Sequence, residues 1–418
     1  MALKLQSEQK IQELLHKGVI IPNPLTIDIG DEVRADQISA RDVRIYPGCR
    51  IYGEKTVISA GCRLGYEAPA TIENCRLGAG VELKGGFFSH SVFLDKAGMG
   101  MGAHVREGCI LEEEANGAHC VGLKQTILFP FVTLGSLVNF CDCLMAGGTS
   151  RQNHSEVGSS YIHFNFTPDA DKTTPSLIGD VPRGVMLNQP PIFLGGQGGI
   201  VGPVRLGYGA VVAAGSILRK DYPGDNQLIF SPAPSGSVRP FAPAAYPHFR
   251  RIVENNLLYL ANLKALESWY GQVRKTFFDA REFGPLLYAG VMDQLASAGK
   301  ERLKRLRAMA GKAAAPTRTQ RKPQTAAAGQ TLLEHLDSIE DVFGAGDPGD
   351  ETQRLRDAFI GDFEKAAGND RTSYLDVIRR LPPQVSSKGV QWLNALVDDC
   401  CKKIATGAPS LNLFENSI

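Results

Sequence analysis

Leu194, Ile200, Leu206, Val212 and Leu218 follow one another at intervals of six residues, with small residues directly after several of them: Gly195, Gly207 and Ala213. The same step recurs at Ile45, Ile51 and Val57, at Ile58 and Leu64, at Leu77 and Leu83, and at Leu128, Leu134 and Phe140. A period of six matches neither the 3.6-residue turn of a helix nor the plain alternation of a half-buried hairpin strand. It matches a parallel β-helix, in which each short strand sends one aliphatic residue inward and then turns at a small residue. Three such sides make a coil of about 18 residues, so the stretch from Thr26 to Asp225 predicts on the order of eleven coils.

A single coil cannot bury its own apolar side, whereas stacked coils share an aliphatic interior and pair their backbone N–H and C=O groups with the coils above and below. The repeated corners explain the 45 glycines among 418 residues, because glycine bends without a Cβ clash. Two stretches, Gly147–His154 and Phe164–Pro175, break the step and are predicted to bulge as loops. Loops on a rigid solenoid are where binding chemistry tends to sit.

The flanks follow a different pattern. Gln6–Lys17 reads as a short amphipathic helix ending near Gly18, and Leu260, Leu263, Trp269, Tyr270, Val273 and Phe277 recur at helical spacing within His248–Leu306. That stripe reads as helix core or a subunit contact. From Lys300 to Lys322 there are nine basic residues and one acid, Glu301, finishing in an Ala/Pro/Thr/Gln-rich stretch with the signature of a linker. Beyond it, helical patterning around 332–342, 352–367, 374–381 and 391–404 suggests a separate module for partner binding or assembly. The expected organisation is an N-terminal helix and lead-in (1–25), a β-helix domain (26–238), a helical extension (239–311), a flexible linker (312–330) and a helical C-terminal module (331–418).

Lysine and arginine number 45 against 44 acidic residues, a net charge of +1. Such a balance supplies no global field for a nucleic acid or an anionic membrane. No apolar run approaches the roughly 18 residues of a membrane-spanning helix, and MALKLQSEQKI lacks the apolar block of a secretory signal; a cytoplasmic protein is expected. Nine cysteines without a CxxC pair or zinc-type spacing read as buried thiols, and no metal is expected.

The stretch Leu194–Asp221 (LGGQGGIVGPVRLGYGAVVAAGSILRKD), preceded by Ile162, Asn165 and Phe166 and by Leu177–Asp180, resembles the acetyltransferase half of the bifunctional UDP-N-acetylglucosamine pyrophosphorylase/glucosamine-1-phosphate acetyltransferase family. The resemblance extends over Arg106–Asp221. It implies a left-handed β-helix, against the usual right-handed crossover, and a homotrimer with sites in the grooves between subunits. The family holds its sugar phosphate with an arginine and a lysine 18 residues apart, and Arg106 and Lys124 have that separation. Two fixed cations on adjacent coils suit a phosphate dianion, the guanidinium as a fork and the ammonium as a point charge. Two ordinary surface charges are the structural alternative. Asn165-Phe166 stands where the family has Asn-Tyr against the acceptor, and Lys172 falls one residue from the family's following lysine. Gly196, Ala213 and Ala214 fall on coils that line the pantetheine channel of acetyl-CoA in the family, although turns of any hexapeptide fold also favour small residues.

The chain departs from the family at the general base. Twelve residues after Lys124, where the family has a histidine that takes a proton from the attacking amine, this chain has Ser136, and Asn139 replaces a neighbouring tyrosine. A serine alone cannot serve as the base. His154 and His163, in the interrupted region, are candidate replacements, each with a purely structural role as the alternative. Cys141 and Cys143 flank the same coil and by alternation point to one face, where packing is favoured over a nucleophile. No glycine-rich nucleotide loop ending in Thr-Arg precedes Arg106, so uridyltransferase activity is not expected. Gly195–Gly199 does not replace it, because it lies inside the six-residue register and opens no helix.

The expected protein is mainly β, a left-handed parallel β-helix followed by α-helical regions. It is expected to be a homotrimer that binds a phosphorylated amino sugar or a UDP-sugar and acylates it from acetyl-CoA or another acyl-CoA. The alternative is a non-catalytic sugar-nucleotide-binding or scaffold β-helix that has lost the histidine, with residues 331–418 recruiting a protein partner.

Overall fold

Short strands with one inward aliphatic residue each build the first part of the molecule, as the six-residue step requires. The structure, a computed structural model, describes residues 7–164, 171–231, 236, 238, 246–315, 323–344, 349–368 and 371–414. The chain winds as a left-handed parallel β-helix of about eleven turns, with three faces here named A, B and C in the order the chain visits them. Face A is a ten-stranded parallel sheet running from Arg44–Ile45 to Leu228–Ile229. Its first strands put a charge outward and an aliphatic inward, as in Arg44–Ile45, Arg63–Leu64 and Glu82–Leu83. The hexads are distributed over all three faces: Leu194 pairs with Val212 on A, Ile200 with Leu218 on B, and Leu206 lies on C. Two longer strands, Gly122–Leu128 and Asn139–Met145, continue around the edge from B to C and join these faces into one sheet.

Face C is buried on both sides. Its outward row of Val92, Ile110, Ile127, Leu144 and Leu177 is apolar, and none of the five is more than 4% exposed. Helices cover it. Helix α1 (Glu8–Lys17) caps the first coil with Ile11 and Leu14 and ends at Gly18, whose φ of 105° suits only glycine well. Helix α2 (Val181–Gly184) is a short excursion between faces C and A, docked by a hydrogen bond from the Val181 amide to Asn262 Oδ1 at 2.9 Å. The sixfold count gave no sign of this excursion. Helix α3 (Phe249–Trp269) passes through a π-turn (Tyr270–Arg274) into α4 (Lys275–Asp279), and α5 (Gly284–Ala314) lies along face C. Polar contacts fasten it there: Arg76 to Asp293 at 3.3 Å, the Gly108 amide to Gln294 at 3.0 Å, and Arg302 to Asp142 at 2.6 Å.

Helices α6 (Pro323–Phe343), α7 (Asp350–Ala367), α8 (Tyr374–Arg379) and α9 (Pro383–Gly407) complete the fold. The linker expected at 312–330 needs correction, since α5 continues through Ala314 and α6, which packs along it, begins at Pro323. Residues 316–322 lie outside the described residues. Alanine is common in tethers and is also the best helix former, so the composition read both ways. Nor does 331–418 stand apart: Phe359 of α7 and Trp392 of α9 pack on Trp269 of α3 at ring-centroid distances of 5.8 and 6.4 Å. The aromatic stripe of α3 is therefore the interior of this bundle. Among the described residues no helix is long and apolar enough to cross a membrane, and no cluster of His, Cys, Asp or Glu is placed to hold a metal ion.

Candidate functional site

The edge between faces B and C carries the site. Val105 and Leu123 are inward neighbours in register, so the residues after them, Arg106 and Lys124, turn the same corner one coil apart. Lys124 in turn pairs with Cys141, and Gly122 with Asn139, on the following coil. Arg106, Lys124, Asn139, Cys141, Asp142, Phe164, Lys172 and Thr174, with Glu301 of α5, line a pocket of about 280 Å³. Four predicted ligand contacts, Arg106, Lys124, Asn139 and Lys172, are thus brought together. Asn165 and Phe166 lie outside the described residues, although their neighbour Phe164 lines the pocket.

The pocket mixes charges of both signs. Lys124 Nζ sits 2.5 Å from Glu107 Oε1; burial works against the Glu107 carboxylate, yet its bond to Lys124 holds it below the usual range. Arg106 has no carboxylate partner among the described residues and interacts with the Cys141 thiol. Burial, reinforced by the Asp142 charge, pushes that thiol up to about 11 despite Arg106 and Lys124, so Cys141 is not a thiolate at neutral pH. Cys143, expected on the same face, is fully buried instead. Between them Asp142 has a φ of 56°, which interrupts simple alternation at the corner. Arg302 at 2.6 Å and Thr174 Oγ1 at 3.0 Å hold the Asp142 carboxylate.

A second chamber, of about 670 Å³, continues along the same edge and shares Lys124 and Glu301 with the first. Lys55, Asn74, Arg76 and His90 form its solenoid side, and Asp293, Lys300, Lys304 and Arg305 its α5 side. Sequence reading missed these residues because the edge and the helix are about two hundred positions apart in the chain. The available signal was the apolar outward row of the middle strands of face C, from Val92 to Leu177, which requires a cover. His90 is the histidine of this chamber; its Nδ1 shares a 2.6 Å hydrogen bond with Ser89 Oγ.

The two candidate bases, His163 and His154, and Ser136 at the position of the family histidine, lie elsewhere. His163 occupies an inward position on face B between Phe140 and Ile200, fully buried and edge-on to the Phe140 ring at 5.5 Å. Burial lowers its pKa, and its Nδ1 bonds the Cys141 carbonyl. It is a core histidine, because the six-residue register places its side chain in the solenoid interior. His154 is on an antiparallel hairpin, Gly148–Ser150 with Asn153–His154, at the edge between C and A. Arg151 pins that hairpin by donating to the carbonyls of Glu114 (2.9 Å) and Phe131 (2.8 Å). Ser136 is on the edge between A and B, where its Oγ is 2.8 Å from His119 Nδ1.

Gly196, Ala213 and Ala214 lie on that same A–B edge, across face B from Arg106. A Cβ on Gly196 would approach the Ser159 carbonyl to 3.0 Å, so coil stacking by itself accounts for this glycine. Ala214 is exposed and Ala213 half-buried, which leaves the edge open.

No family model matches the chain. It is 30% identical over 215 residues to the bifunctional protein GlmU of Thermotoga maritima, covering 51% of this chain and 43% of that one. The bifunctional protein GlmU of Acinetobacter baumannii strain AYE is 28% identical over 222 residues, covering 51% and 42% respectively. The matches thus span less than half the length of these curated relatives. A solved structure of the polysialic acid O-acetyltransferase OatWY shares 14% identity over 49% of this chain and 77% of that one, with a TM-score of 0.14. Over about half of its length, the chain resembles the hexapeptide-repeat acyltransferases.

Proposed function

We propose that the protein binds a phosphorylated amino sugar or a UDP-sugar in the groove on the B–C edge and acylates it from acetyl-CoA or another acyl-CoA. The observation that carries this reading is the convergence of Arg106, Lys124, Asn139 and Lys172 on one pocket. Arg106 supplies the fork for a phosphate and Lys124 a point charge beside it. Asp142 and Glu301 are acceptors for sugar hydroxyls or an ammonium. His90 is the imidazole that the groove offers as a base. The acceptor amine or hydroxyl attacks the thioester carbonyl and gives up its proton to the imidazole; the C–S bond breaks, and the leaving thiolate takes that proton. The open edge along Gly196, Ala213 and Ala214, presented to the groove by a neighbouring copy of the homotrimer, is the proposed resting place of the pantetheine chain.

The reading includes the homotrimer. Phe193, Val211 and Leu228 stack outward on face A and are 40%, 41% and 63% exposed, an apolar ladder for a neighbouring copy to cover. Light scattering of the purified chain tests this, with a trimer mass expected.

The deciding experiment is thermal unfolding with acetyl-CoA, UDP-N-acetylglucosamine, glucosamine-1-phosphate and UDP, each added separately. A ligand at about 100 times its Kd adds about 2.7 kcal/mol. Stabilisation by both a CoA and a sugar phosphate is expected, with the sugar-phosphate shift lost in Arg106→Ala/Lys124→Ala; an undiminished shift in that variant places the ligand elsewhere. A second reading, a non-catalytic sugar-nucleotide-binding scaffold whose helical region recruits a partner, is favoured by the placement of Ser136, His154 and His163 away from the pocket. A sugar-phosphate shift without any CoA shift or thiol release would support it.

A further inference from the structure

The Arg106–Lys124 pocket is enough for one phosphate, but the groove continues well beyond it. The second chamber, about 670 Å³ against about 280 Å³ for the first, falls within the roughly 300–1,000 Å³ of small-molecule sites. Helix α5 runs beside it from Asp293 to Arg305, about 18 Å at the rise of an α-helix. Lys55, Arg76, Lys124, Lys300, Lys304 and Arg305 line it, against the acids Glu107, Asp293 and Glu301.

Each acid already has a basic partner. Asp293 has Arg76 at 3.3 Å and Lys55 at 3.6 Å, Glu107 has Lys124 at 2.5 Å, and Glu301 has Arg305 at 2.6 Å. Lys300 and Lys304, one turn apart on α5, have no acid partner among the described residues. An independent observation comes from the floor. Gln125 lines the same chamber, is 6% exposed, and its Oε1 is buried with no hydrogen-bond partner. A buried acceptor without a donor is costly, and a ligand O–H or N–H would relieve it.

An elongated slot with six basic against three acidic side chains, and an unused acceptor, suits more than a single phosphate monoester. Resting on the reading that the adjoining pocket holds the reacting end of a ligand, we propose that this chamber binds the pyrophosphate-bearing nucleotide portion of that ligand. Lys300 and Lys304 contact the phosphates, and Gln125 Oε1 accepts from a hydroxyl or N–H. Two nucleotide classes carry this group, a nucleoside-diphosphate sugar as acceptor and the acyl-CoA donor.

The test is isothermal titration of the full chain with inorganic pyrophosphate, UDP, CoA and glucosamine-1-phosphate, in wild type and in Lys300→Ala/Lys304→Ala. Both lysines are exposed, so the variant is expected to fold, which circular dichroism verifies. Pyrophosphate and at least one of the two nucleotides are expected to bind wild type and to weaken about tenfold or more in the variant, while glucosamine-1-phosphate binds both alike. Loss of UDP binding identifies the acceptor as the occupant, and loss of CoA binding the donor. Gln125→Leu is expected to weaken the nucleotide that binds and to leave pyrophosphate unaffected. No binding of pyrophosphate or either nucleotide by wild type, or equal affinities in the two proteins, would overturn the proposal. Failure of glucosamine-1-phosphate alone would count against the sugar-phosphate reading and leave the nucleotide chamber standing.

Discussion

Arg302 on α5 donates to Asp142 Oδ1 at 2.6 Å, and the guanidinium is almost wholly shielded from water. The helix that roofs the groove is therefore fastened to the coil that forms its floor. The same guanidinium donates to the Lys172 carbonyl at 3.3 Å, so one side chain positions two walls of the pocket. Arg302→Ala leaves Asp142 largely buried without its cation, which costs about 3 kcal/mol. Denaturant unfolding is expected to show that loss, and hydrogen exchange to show faster opening around α5. An unchanged midpoint would mean that apolar packing on face C holds the helix unaided.

Glu112 and Glu113 face the buried Arg274 at the junction of solenoid and helices, and Tyr270 donates to Glu112. Glu112, Glu113 and Asp95 against Arg274 and Arg281 leave an excess of negative charge in a largely dry site. Burial pushes Glu112 up to about 7, with Glu113 adding to the shift and Arg274 opposing it. A carboxyl whose folded pKa lies above its unfolded value contributes stability that is fully present below the unfolded value, near 4.5, and lost as pH rises through the folded one. Glu112 is thus expected to lower the unfolding temperature progressively between about pH 5 and pH 7, against the opposite contribution of the buried His163, whose pKa is lowered. Glu112→Gln should flatten that slope; an identical slope in the variant would assign it to other groups.

His163 and His90 separate packing from chemistry. His163→Ala removes a fully buried ring and is expected to cost about 2 kcal/mol or more, whereas His163→Leu fills most of the space and costs less. Ligand shifts are expected to survive in His163→Leu. His90→Ala, at an exposed position, should leave unfolding unchanged and abolish acyl transfer if the groove is the catalytic one. Thiol release measured for both variants decides between the two imidazoles.

Cys141 reports on the pocket from beside its charges, since its thiol interacts with Arg106. With its thiol pushed up to about 11 by burial, alkylation by iodoacetamide at pH 7.5 should be slow beside that of the exposed Cys120. A sugar phosphate bound over Arg106 and Lys124 should slow Cys141 further and leave Cys120 unaffected, as read by mass spectrometry. Equal protection of both thiols would signal a general rigidification rather than occupancy.

The solenoid was legible because its interior obeys a local rule: each hexad supplies its own inward residue, and Leu194 to Leu218 need no knowledge of distant chain to be placed. The pair Arg106 and Lys124 was legible through the family resemblance, whose 18-residue spacing is one coil, so that the two positions stack. His163 could have been placed as well. It occupies the inward position between Phe140 and Ile200, but the excursion after it obscured the register that would have shown it to be core.

What the sequence by itself determined is therefore the β-helix, its inward ladder and the one-coil spacing of Arg106 and Lys124. Only the tertiary structure decided that α5 roofs this edge, that Asp142 is held by a residue 160 positions away, and that Lys300 and Lys304 face the solenoid. The physical reason is the range of the interactions. Solenoid contacts are between neighbouring coils and repeat with the chain, whereas the helices are placed by burying the outward apolar row of face C, a contact whose partners no local period relates.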